Sequence, residues 1–135
     1  MDILIGKLPE EMMDAFLETI PLEISVLDKD DKVVGWNKHE SRIFKRPKNV
    51  IGKDVRNCHP KKSLHKVEQI ISDFKEGKRD RARFWIDLTI EGETKKVLIE
   101  YYALRTQEGE YLGCLEASQD IIEIQNLSGE KRLLD

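Results

Sequence analysis

The chain has 135 residues, of which 39% are hydrophobic and 36% charged, with a net charge of −3. That is enough length and apolar content for one domain with a single core, and it lacks the basic excess that nucleic-acid binding needs. No apolar run approaches a membrane span and no leader-like segment opens the chain. The expectation is therefore a cytoplasmic protein with no nucleic-acid and no membrane partner.

The first predicted element is a helix. Leu8-Pro9-Glu10-Glu11 places proline in the first turn and acids at the positive end, and Met12, Met13, Phe16, Leu17 and Ile20 follow at helical spacing. Pro21 ends it. Leu22, Ile24 and Val26 then alternate with Glu23 and Ser25, the pattern of a half-buried strand. Asp28-Lys29-Asp30-Asp31 is a turn, and Lys32 to Trp36 returns as the second strand of a hairpin. Asn37 is a capping residue, so a short helix is expected over residues 38–44. Pro47 and Gly52 punctuate an irregular stretch.

Pro60 opens the clearest helix, with Leu64, Val67, Ile70, Ile71 and Phe74 on one face and Gly77 at its end. Ala82, Phe84, Ile86, Leu88 and Ile90 alternate strictly as a third strand. Glu91-Gly92-Glu93 turns the chain into a strand from Lys95 to Arg105. Gln107-Glu108-Gly109 turns it again into the last, from Glu110 to Gln119. A tail from Ile121 is expected as a short helix or an extended arm. Two antiparallel strands, a helical crossover and a three-strand meander predict an α+β fold: a five-stranded antiparallel sheet with helices on one face and an amphipathic helix at the N-terminus.

That order resembles the PAS domain, and particular residues strengthen the likeness. Leu22 to Asp28 followed by Lys32 to Asn37 resembles the opening PAS hairpin. Ile51-Gly52-Lys53-Asp54-Val55 resembles the segment before the long helix. Gly109 to Gly113 and Gln119-Asp120-Ile121 resemble the last strand and its exit. Asn57-Cys58-His59-Pro60, Phe74 to Asp80, Phe84-Trp85-Ile86 and the ending Gly129 to Asp135 are similar to one PAS subfamily. In it the domain lies C-terminal to a domain of unknown function and a haemerythrin-like domain in bacterial and archaeal proteins. The resemblance divides the chain into an N-terminal helix (1–20), a PAS domain (21–121) and a tail (122–135). It implies a sensory module that holds a small ligand or a partner domain between sheet and long helix.

Helical phase centres the core stripe of the long helix near Val67, with Ser63 inside the stripe, His59 at its edge and His65 on the opposite side. The candidate ligand contacts are Ser63, His59, Trp36, Asn37 and Leu115. Ser63 can equally bond back to a helix carbonyl, and His59 can cap the helix. No Ser-His-Asp order, phosphate loop or zinc spacing is present, so neither catalytic nor metal residues are expected and the protein reads as a non-enzyme. The residues name no cofactor. Cys58 and Cys114 have no metal-type spacing.

Some PAS domains bind haem through a histidine on the long helix, but His65 points away from the predicted core. Light-sensing PAS domains carry a cysteine where Val55 stands here. Glu100 and Glu116 interrupt apolar strands and need either a wet face or a cationic partner. Trp85 is expected on the outer sheet face under the N-terminal helix, and a homodimer through that helix and face is the expected partner. A ligand-free dimerisation or docking module, and a haem or redox sensor using Cys58 or His59, are the alternatives.

Overall fold

The computed structural model describes residues 6–134. Residues 1–5 of the segment assigned to the N-terminal helix, and Asp135 of the terminal motif, lie outside the described residues. Helix α1 runs Glu10–Thr19, with Pro9 at its N-cap and two glutamates in the first turn. Strands β1 (Glu23–Asp28) and β2 (Val33–Trp36) form the first hairpin. Its turn is fixed by Asp28, whose Oδ1 accepts from the backbone N–H of Asp30 at 2.9 Å and of Lys32 at 3.0 Å. A short acidic side chain that bonds two residues ahead mimics a backbone turn.

Helix α2 spans Lys61–Lys75, and β3 (Arg81–Ile90), β4 (Glu93–Arg105) and β5 (Tyr111–Asp120) follow. Glu91 and Gly92 join β3 to β4 with φ of 51° and 81°. Two successive left-handed residues match the twist of a two-residue hairpin, and glycine takes the second place without strain. All five strands lie in one antiparallel sheet, in the order β2-β1-β5-β4-β3. The predicted fold class holds.

The apolar face of α2 closes one side of that sheet. Val67, Ile71 and Phe74 are buried against an inner face that includes Val97, Ile99, Tyr101 and Cys114. Burying side chains of this kind contributes about 1.5–3 kcal/mol each. Ion pairs hold α2 to the hairpin at its other side: Asp31 accepts from Lys75 Nζ of α2 at 3.0 Å and from Arg56 Nη1 at 3.1 Å, and Arg56, which precedes α2, donates in turn to Glu68 of α2 at 2.9 Å.

Three expectations are corrected. Residues 38–44 form turns, not a helix. Lys38 is left-handed at φ 53°, and the Asn37 side chain that should have capped a helix is bonded to β1 and α1 instead. Second, the alternation in β1 points the other way. Glu23 and Ser25 face inward and are buried, whereas Ile24 and Val26 line a groove on the outer face with Leu17 of α1. Both faces of the β1 end are covered, so apolar side chains there do not mark the α2 side. Third, α1 does not cover Trp85. It is tied to the β1–β2 end, while β3 is the opposite edge of the sheet, and Trp85 is 62% exposed. The tail contributes one short 3-10 turn at Ile124–Asn126.

Candidate functional site

Where α2 leans away from β3, the inner face stays open. A cleft of about 1300 Å³ lies between the first half of α2, the segment 43–50 and the strands β3, β4 and β5. Its apolar wall is continuous. Phe84 and Ile86 project from β3 towards the α2 side, yet each is 36% exposed, because no described residue fully covers them. Phe84 stacks on Tyr101 with centroids 5.7 Å apart and planes 25° from parallel. Phe84, on the apolar side of its strand, is thus a cleft wall.

The deep end of the cleft is polar. Glu116 projects inward from β5 opposite Tyr101 of β4, and Arg46 Nη2 donates to its Oε2 at 3.3 Å. Burial pushes the Glu116 carboxyl above its ordinary range, against the opposing pull of Arg46 and Arg42. Burial, then the nearby Glu116, pushes the Tyr101 phenol up. Beside this pair stands His59. Its ring is held below its ordinary pKa by burial and then by the Arg46 charge, so the neutral imidazole is favoured. Two buried polar atoms here lack a hydrogen-bond partner among the described residues: Arg46 Nε and His59 Nδ1. Such groups are costly to leave unpaired and mark where a ligand atom would be rewarded.

The structure brings Ser63 and His59 together at this cleft. Ser63 also bonds back weakly, its Oγ donating to the Pro60 carbonyl at 3.4 Å. His59 does not cap α2; Pro60 holds the N-cap position and no side chain caps the helix. The other three candidates lie elsewhere. Trp36 donates from Nε1 to His39 Nδ1 at 2.9 Å and borders the outer groove beside α1. Leu115 pairs with Val26 and Tyr102 on the outer face, opposite in phase to Glu116.

Asn37 is a structural tie. Its Oδ1 accepts from Ile24 N–H at 2.7 Å, and its Nδ2 donates to the carbonyls of Leu17 at 2.5 Å and Leu22 at 3.1 Å. With 4% exposure, Asn37→Ala is expected to cost about 2 kcal/mol and to release α1. Urea denaturation measures the first, and amide exchange in residues 10–19 the second.

His59 gives a pH signature. The unfolded ring takes a proton near pH 6.5, whereas the folded one resists it beside Arg46. Its contribution is complete above that pH and is lost as pH falls through the lowered folded value. Denaturation series between pH 7 and 5 on the parent and on His59→Gln will show the difference, with the variant flatter.

His65 is exposed at the cleft rim on α2. Both cysteines are free thiols, and burial raises the Cys114 thiol to about 12. Among the described residues no group of three His, Cys, Asp or Glu side chains could hold a metal ion, and no helix is long and apolar enough to cross a membrane. On the outer face Glu100 accepts from the Tyr102 hydroxyl at 2.7 Å and from Arg83 Nη2 at 3.0 Å. It therefore has the cationic partner that its place in an apolar strand demands, as Glu116 has in Arg46. Sequence reasoning missed Arg46 and Phe44 as cleft residues; the only signal was their place just before a proline in an irregular stretch.

A sheet of this order with a helix across an open inner cleft defines a PAS-like fold. The PAS domain family model matches residues 13–122, and the chain belongs to that family, whose members are generally sensory and signalling modules. A crystal structure of a C-terminal domain from Streptococcus mutans is 33% identical, with a TM-score of 0.84 over 95% of this chain and 96% of that one. The PAS domain of BvgS from Bordetella pertussis is 20% identical, with a TM-score of 0.60 over 82% and 85%. The VqmA dimer of Vibrio cholerae is 17% identical, with a TM-score of 0.62 over 87% of this chain and 54% of that one. Among curated proteins no sequence matches.

Proposed function

We propose that the chain is a sensor module whose signal is a small molecule held in the cleft between α2 and the inner sheet face. The observation that carries this is the pairing of an uncovered apolar wall, Phe84 and Ile86, with two unpartnered buried polar atoms at its deep end. Binding sites are typically apolar cavities with a few convergent polar groups. Ser63 and His59 are its ligand contacts on the α2 side, and no catalytic step is assigned. Residues 21–121 form the sensing unit, with the segments 1–20 and 122–135 as its connections to other parts. The S. mutans relative is a C-terminal domain, which supports a C-terminal position for this chain too. Native mass spectrometry of the purified chain tests the reading. A copurifying mass, or a thermal shift with members of a small-molecule library, is expected; a chain that carries no mass and responds to none would sink it.

A homodimer is the second part of the proposal. Met12, Met13 and Phe16 form an exposed apolar stripe on α1, and Trp85 is exposed at the other edge. Sedimentation of the parent and of Phe16→Glu will report whether that stripe is the contact.

A further inference from the structure

The two edges of the sheet end differently. The β2 edge is covered by the chain itself: Val33 N–H donates to Lys53 O at 2.9 Å, and Gly52 N–H donates to Val33 O at 2.8 Å. The β3 edge has no such cover. Among the described residues β3 pairs only with β4, and no other group bonds to its backbone. Its register is regular from Arg81 to Ile90, without a bulge, and the strand holds no proline and no lysine. Those are the devices that usually keep an edge strand from pairing. The middle of the strand is also its apolar part, with Trp85 62% exposed on the outer face and Phe84 and Ile86 each 36% exposed on the inner one.

The sequence around Trp85 is self-complementary. Phe84 and Ile86 flank it, and Arg83 and Asp87 stand next beyond them. Antiparallel pairing with a second copy about Trp85 sets Arg83 opposite Asp87 on the outer face and Phe84 opposite Ile86 on the inner one. The rows then continue through β4. On the outer face Glu100, Arg83, Asp87 of the second copy and its Lys96 follow one another with alternating sign. Within one chain Arg83 Nη2 lies 3.0 Å from Glu100 and Lys96 Nζ 2.6 Å from Asp87, yet the Arg83 and Asp87 side chains remain 50% and 66% exposed. Each therefore has room for a second ion. On the inner face the row is Ile99, Phe84, Ile86 of the second copy and its Val97, apolar throughout. The neighbouring registers lose this order, because they set Trp85 against Asp87 or against Arg83.

We propose that two copies of the chain join at their β3 strands, antiparallel and centred on Trp85, into one continuous sheet. This rests on the homodimer reading and says where the contact lies. Both α2 helices then stand on the same side of the sheet, and the apolar wall of one cleft runs into that of the other. The contact is two-fold and closes on itself, since the β2 edge is already covered.

Sedimentation equilibrium of the full chain, with hydrogen exchange of the parent, tests this. Arg83→Glu and Asp87→Arg each set like charges opposite one another across the axis, and each is expected to weaken the dimer at least about tenfold. An equimolar mixture of the two variants sets opposite charges at both positions and is expected to recover the dimer. In the parent, β3 amides are expected to gain protection as concentration rises, a readout that needs no variant. A mixture that associates no better than either variant, or β3 amides indifferent to concentration in a chain that does dimerise, overturns the β3 contact and leaves the homodimer standing. A parent that stays monomeric to about 1 mM overturns both.

Discussion

Arg42→Met is expected to lower folding stability by about 3–5 kcal/mol, the largest effect of any single change to the polar interior. The Arg42 side chain is 1% exposed and that of Glu23 5%. The guanidinium donates from Nε to Phe44 O at 2.9 Å, from Nη1 to Asn37 O at 2.9 Å and Ile24 O at 3.1 Å, and from Nη2 to Ser25 Oγ at 3.1 Å. It therefore replaces the helix that residues 38–44 do not form, gathering three loop and strand carbonyls around one planar cation. Methionine fills the volume but leaves Glu23 as a buried charge with no cation. Adding Glu23→Gln removes that charge, and the double variant is expected to recover at least about 1 kcal/mol of the loss. Guanidinium denaturation of the parent, both single variants and the double variant closes the cycle. A double variant no more stable than Arg42→Met would show that the carbonyl bonds, not the ion pair, carry the effect.

Gly113→Ala is expected to cost about 3 kcal/mol or more, because overpacking against backbone has no side chain to yield. Gly113 is buried where β5 pairs with Asp28 of β1 and Leu104 of β4. A Cβ there would run into the carbonyl oxygen of Leu27, with Asp28 Cα only 3.2 Å away. The strands must part, and hydrogen exchange should show β1–β5 amides losing protection first. Gly35→Ala is the control: its Cβ would meet nothing within 4 Å, and a change within about 0.5 kcal/mol is expected there.

Elements that rest on local chemistry could be read from the chain. Alternation from Ala82 to Ile90, the periodic face of α2 and the turns at Asp28 and Gly92 each give one local answer, and those answers add up to the sheet. The phase of α2 also put Ser63 and His59 at the cleft, because a helix fixes direction at about 100° per residue. Strand pattern could not do the same for Leu115 or β1. Alternation tells which side chains share a face, not which face the long helix covers, and here α1 supplies a second apolar surface. Arg42 and Arg46 were illegible for another reason, and so was the identity of the cation that Glu116 required. Arg46 meets Glu116 across 70 positions, and nothing local distinguishes a loop arginine that turns inward from one that stays in water. The same limit misassigned Asn37: its capping chemistry was recognised, but its acceptors and donors lie in β1 and α1.

The place of β5 has a kinetic consequence. It is the last strand made and the middle strand of the sheet, flanked by β1 on one side and β4 on the other. Before residue 111 leaves the ribosome, the chain can make only two separate hairpins, β1–β2 and β3–β4, and isolated hairpins are marginal in water. Joining Glu23 to Ser118 closes a loop of nearly the whole domain, an entropic cost met all at once at the end. Folding should therefore be late, cooperative and on the millisecond-to-second side of the range for domains this size, and nascent chains that end before β5 should stay protease-sensitive.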